Sequence, residues 1–69
     1  MEAVLQRLPI TLAQFLKWCG AAANGAQAKE MARQGLVKIN GQCCTIPGKQ
    51  LIASDEVEVL GQVWQIVAG

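Results

Sequence analysis

The sequence holds no histidine, little aromatic surface, little charge and no long apolar run, and each absence removes a class of protein. Without His, the side chain that most often moves protons or binds metals near neutral pH is missing. No nucleophile stands beside an evident base, and no Gly-rich nucleotide fingerprint appears. The chain therefore does not read as an enzyme, and no cofactor, metal or small-molecule substrate is expected. Apolar stretches are short and broken, so no membrane span fits and no membrane partner is expected. The N-terminus lacks a basic region, and Gln6, Arg7 and Pro9 interrupt its apolar stretch, so it does not read as a signal peptide and the expected location is the cytoplasm.

Three cysteines, Cys19, Cys43 and Cys44, are an odd number without the spacing of a disulfide framework. Adjacent strand residues point to opposite faces, so Cys43 and Cys44 do not suit one metal ion. All three read as reduced, and small buried hydrophobes is the favoured reading, though whichever of Cys43 and Cys44 faces outward could still oxidise.

What remains is a chain of 69 residues, 52% hydrophobic but only 4% aromatic, whose bulk is Ala, Val, Leu and Ile. That length makes one domain, residues 1–69. The net charge of +1 supplies no bulk attraction to a polyanion, so any such site must come from local clustering.

Two helices are signalled. Thr11 and Gln14 have capping-box spacing, Ile10 and Phe15 occupy the staple positions, and Leu12, Phe15, Leu16 and Cys19 form an apolar stripe that Gly20 ends. Asn24 is the expected cap of a second helix that ends at Gly35, with Ala28, Met31 and Ala32 buried and Ala26, Lys29, Glu30 and Arg33 on the far side. Strands follow: Leu36 to Ile39, an Asn40-Gly41 type I′ turn, and a return over Gln42 to Thr45. Pro47-Gly48 marks a turn, Glu56 to Val59 alternates, Gly61-Gln62 suits a type II′ turn, and Val63 to Val67 closes a second hairpin. Met1 to Leu8 reads as an edge strand. Glu56 and Glu58 share one face of their strand, as on an exposed surface. Trp64 reads as core; Trp18 lies off the apolar stripe, so it either packs against a neighbouring strand, the favoured reading, or stays partly exposed where it could stack on a base, and neither Trp belongs to an aromatic cluster.

The segment Asn24 to Arg33 carries the chemistry. A helix N-terminus presents unpaired N–H groups and roughly half a positive charge. Gly25 and Ala26 leave that backbone nearly bare, and Asn24 caps it without the negative charge of Asp. Lys29 and Arg33 stand four residues apart, a like-charge pair that an anion would relieve. Small residues also serve close helix packing, and paired cations also make a solvated face. Spacing alone leaves both readings open.

The order Thr11-Leu12, Phe15-Leu16-Lys17 and Gly20, then Gly25-Ala26-Gln27-Ala28-Lys29, then Gly35-Leu36-Val37-Lys38-Ile39-Asn40-Gly41 resembles the RNA-binding domain named after small-subunit ribosomal protein S-four. The likeness is to the small stand-alone bacterial members, the YbcJ-like proteins, and it continues through Lys49, Ala53-Ser54-Asp55 and Gly61 to Val67. The resemblance implies an α+β fold of the αL type, two short helices packed on a small, mostly antiparallel sheet. It also implies a module that grips structured RNA through the second helix and the adjoining loops without transforming it. Joined to the helix-terminus argument, the expected partner is RNA of the ribosomal or transfer class held by its phosphates, and the expected state is a monomer. Carried over by position, Gln27, Lys29 and Arg33 would sit on the RNA face beside the bare backbone of Gly25 and Ala26, with Lys38, Asn40 and Lys49 nearby and Lys17 a weaker candidate. Where the family is rich in Arg and Lys after the Asn-Gly turn, this chain reads Cys43-Cys44-Thr45-Ile46-Pro47-Gly48-Lys49, and Ser54 replaces a usual Gly. The alternative is therefore a protein-interaction or assembly-factor module on the same fold, using Ile46-Pro47 as its surface.

Overall fold

The computed structural model describes all 69 residues: β1 (Glu2–Leu5), β2 (Ile10–Thr11), α1 (Leu12–Trp18), α2 (Gly25–Arg33), β3 (Val37–Ile39), β4 (Gln42–Cys43), β5 (Gln50–Leu51), β6 (Glu56–Val59) and β7 (Gln62–Ala68). The cap of α1 forms reciprocally. Thr11 Oγ1 accepts from the Gln14 N–H at 3.2 Å, and Gln14 Oε1 accepts from the Thr11 N–H at 2.9 Å. The next two donors look outward: Leu12 and Ala13 N–H donate to the carbonyls of Lys49 (2.8 Å) and Pro47 (3.0 Å). The loop carrying Pro47-Gly48 thus closes the first turn of α1.

For α2, Asn24 Oδ1 accepts from the Gln27 N–H at 2.8 Å, and Gln27 Oε1 accepts from the Ala23 N–H at 2.7 Å. The helix ends in a Schellman motif. Gly35, at φ +75°, donates to Ala32 O (3.0 Å) while Leu36 N–H donates to Met31 O (3.2 Å). That bond holds Leu36 out of β3, one residue later than the sequence pattern predicts.

Five strands form one sheet in the order β1-β7-β6-β3-β4, with β1 parallel to β7 and every other pair antiparallel. A second, two-stranded sheet pairs β2 with β5. Alternation sends Ala3, Leu5, Val37, Ile39, Val57, Val59 and Ile66 to the face that the helices cover. There they meet Leu12, Phe15 and Leu16 of α1 and Ala28, Met31 and Ala32 of α2 in a single core. The outer face carries Glu2, Lys38, Glu56 and Glu58. The fold is the expected α+β pair of helices on a mostly antiparallel sheet.

Several expectations are corrected. The second hairpin turns at Leu60-Gly61, with φ 52° and 76°, not at Gly61-Gln62, because Val59 pairs with Gln62. Both registers keep Trp64 and Ile66 inward, so alternation does not choose between them. The register is pinned at the other end, where the Ile66 carbonyl accepts from Ser54 N–H (2.9 Å) and its own N–H donates to Asp55 O (2.8 Å). β4 stops at Cys43. Cys43 is the outward member of its pair, since it stands opposite Lys38 on the outer face, while Cys19 and Cys44 are half-buried and not fully so. The three aromatic residues do cluster, and Trp64 is only partly buried, whereas Trp18 is both half exposed and packed against Trp64 of β7, so the two readings of it hold together. Phe15 and Trp18 stack at 5.9 Å, and Trp64 meets each ring edge-on, at 6.1 and 5.8 Å.

Candidate functional site

The N-terminus of α2 is open in the sense an anion requires. Gln27 N–H is taken by the Asn24 cap, but Gly25 and Ala26 N–H donate to no protein acceptor. A Cβ placed on Gly25 would meet nothing within 4 Å, so the backbone there faces free space. The buried stripe Ala28, Met31 and Ala32 turns Ala26, Lys29 and Arg33 outward, and all three are exposed. The Lys29 and Arg33 side chains make no hydrogen bond within the protein, whereas the neighbouring Glu30 Oε1 is occupied by Gln34 Nε2 at 3.0 Å.

The other candidates are distributed differently. Gln27 stands on the same helix turn, but its Oε1 braces Ala23, which leaves only its Nε2 to donate outward. Lys38 lies on the outer face of the sheet, directly across from Glu58 and away from the helices. Asn40 is a clamp. Its Oδ1 accepts from Glu56 N–H at 2.9 Å and its Nδ2 donates to Asp55 Oδ1 at 3.1 Å, while Asp55 Oδ2 accepts from Ile52 N–H at 3.0 Å. Lys49 is exposed on the loop that closes α1, and Lys17 is exposed on α1 itself. The structure therefore brings Gly25, Ala26, Gln27, Lys29 and Arg33 onto one element and places Lys38, Asn40 and Lys49 elsewhere. The Asn40–Asp55 clamp escapes sequence reasoning because it joins residues far apart in the chain through one side-chain pair.

Charge is segregated by layer. The span from Leu12 to Arg33 holds Lys17, Lys29 and Arg33 against the single acid Glu30, a net +2 that leaves −1 for the remainder. Glu2, Glu56 and Glu58 all sit on the outer face of the sheet, and Glu2 and Glu56 flank Gln65 in one row. A nearly neutral molecule thus has a positive helical side and an acidic back.

These features define a small two-layer α+β domain of the αL type. The chain belongs to the S4 domain family, whose model matches residues 4–67. It is similar to YbcJ from E. coli, whose solution structure is described as revealing a recently discovered αL motif involved in RNA binding. The two share 32% sequence identity with a TM-score of 0.71, over 97% of this chain and 86% of YbcJ. No curated protein matches the sequence significantly. No helix is long and apolar enough to cross a membrane.

Proposed function

We propose that this chain is a non-catalytic binder of structured RNA, of the ribosomal or transfer class, that holds phosphates at the second helix. The observation that carries this reading is the coincidence, on α2, of two unpartnered amides at Gly25 and Ala26 with the free cations Lys29 and Arg33. Amides and helix dipole fix one phosphate, while Lys29 and Arg33 meet the next along the backbone. Lys17 and Lys49 add charge at the flanks. Shape governs selection more than sequence, because side chains do not enter the deep major groove of an RNA helix. Kinship with YbcJ, described as carrying an RNA-binding motif, supports the same reading.

With about three phosphates neutralised, log affinity falls against log salt with a slope of about −2 to −3. The direct test is Lys29→Glu combined with Arg33→Glu. Both side chains are exposed and hydrogen-bonded to nothing, so the melting temperature is expected to stay within a few degrees while gel-shift binding to a structured RNA is lost. Undiminished affinity at low salt would refute the site.

A further inference from the structure

A second feature of the surface lies away from α2. At the end of β1, a pocket of about 380 Å³ opens between the edge strand and α1. Val4, Ile10 and Trp18 supply its apolar wall, and Gln6, Arg7 and Gln14 its polar rim. We propose that this pocket receives one unpaired nucleotide of the bound RNA, with the base stacked on Trp18 and its phosphate held by Arg7. The inference rests on the RNA reading above and extends it from a phosphate grip to a preference for RNA with an extruded base.

Trp18 is unusual in being half exposed at 50% while firmly held. It stacks on Phe15 at 5.9 Å with the rings 23° apart, and Trp64 braces it edge-on at 5.8 Å. An indole fixed in this way offers a flat surface to a base and loses little freedom when one arrives. Gln14 is oriented as well: its Oε1 is taken by the Thr11 N–H, which leaves Nε2 as a donor for an acceptor on the base edge. Arg7 is exposed, its guanidinium bonds to no protein group, and no acidic residue lines the pocket, so the rim is complementary to phosphate. The volume falls in the range of pockets that take small ligands, about 300 to 1,000 Å³. The whole molecule spans 28 × 23 × 18 Å, so the pocket and α2 lie within the length of a short RNA stem.

The experiment titrates the isotopically labelled chain with two RNA stems, one fully paired and one identical except for a single extruded adenosine. Both are expected to shift the backbone amides of Gly25 to Arg33, and only the second to shift the Trp18 indole N–H. Arg7→Ala is expected to weaken the bulged stem about 5-fold and to leave the paired stem within about 2-fold. A bulged stem that shifts the α2 amides but not Trp18, and binds Arg7→Ala undiminished, overturns the pocket and leaves the α2 reading intact. Stems that shift neither region overturn both. Free adenosine monophosphate serves as a third arm; if it shifts Trp18 at concentrations as low as the bulged RNA does, the pocket belongs to free nucleotides and the proposal fails.

Discussion

Leu60 and Asn40 occupy the same place in two type I′ turns, each at φ 52° and each followed by a Gly at positive φ. A side chain with a Cβ pays about 1–2 kcal/mol in this left-handed region, and Asn is better tolerated there than Leu. Leu60 is also 67% exposed, so it gains little from packing. Leu60→Asn is therefore expected to raise stability by about 0.5–1 kcal/mol, read as a higher urea midpoint with an unchanged m-value. Asn40 runs the other way. Asn40→Gly suits the backbone but removes the bonds to Asp55 and Glu56 N–H, and a loss of about 1–2 kcal/mol is expected. If Asn40→Gly were neutral, the clamp would be idle and the Asn40 amide would be free for another partner. Ser54, at φ 78°, holds a left-handed backbone that Gly would adopt without strain.

Among the elements, the helices were the most legible, because their boundaries are written in contiguous residues. The Thr11–Gln14 box, the Asn24 cap and the Gly20 and Gly35 stops all stand where the sequence puts them. What depends on distant partners was not legible. The β2–β5 pair has two residues a side and exists because the Lys49 loop folds over α1. The aromatic cluster joins Trp64 of β7 to α1 across the core, and which of Cys43 and Cys44 faces outward is set by the register that puts Cys43 opposite Lys38. For the candidate site, helical spacing puts Lys29 and Arg33 on the exposed side of α2, where the structure has them, but only the sheet register revealed that Lys38 faces the other way. The cap of α2 offers a test that separates folding from binding. Asn24→Asp keeps the bond to Gln27 N–H and adds a charge that the helix dipole favours by about 0.3–1 kcal/mol. The same charge sits beside the amides that would hold a phosphate. The melting temperature should hold or rise, while RNA affinity falls about 5-fold, the effect of roughly 1 kcal/mol of repulsion. A variant that is more stable and binds equally well would remove the amides from the site.

At the scale of the whole molecule, the question is whether RNA senses the net charge or where the charge lies. The acids Glu56 and Glu58 are exposed on the outer face of the sheet, on the opposite side of two layers from α2. Even the shortest dimension of the protein is 18 Å, about twice the Debye length of ~8 Å at physiological ionic strength. Neutralising both acids as Glu56→Gln and Glu58→Gln moves the formal charge from +1 to +3, a large change for so small a protein. If RNA lies on the helical side, most of that change is screened before it reaches a phosphate, and affinity at about 0.15 M salt should change by less than about 2-fold. At about 0.01 M salt the Debye length grows to ~30 Å, the acidic back becomes visible through the protein, and the same variant should bind several-fold more tightly. Lys29→Gln, which removes only one charge, should weaken binding at both salt concentrations because it acts at contact distance. The crossed design fixes the orientation of the complex: a Glu56→Gln, Glu58→Gln protein that binds markedly better at physiological salt places RNA against the sheet, and the assignment to α2 fails.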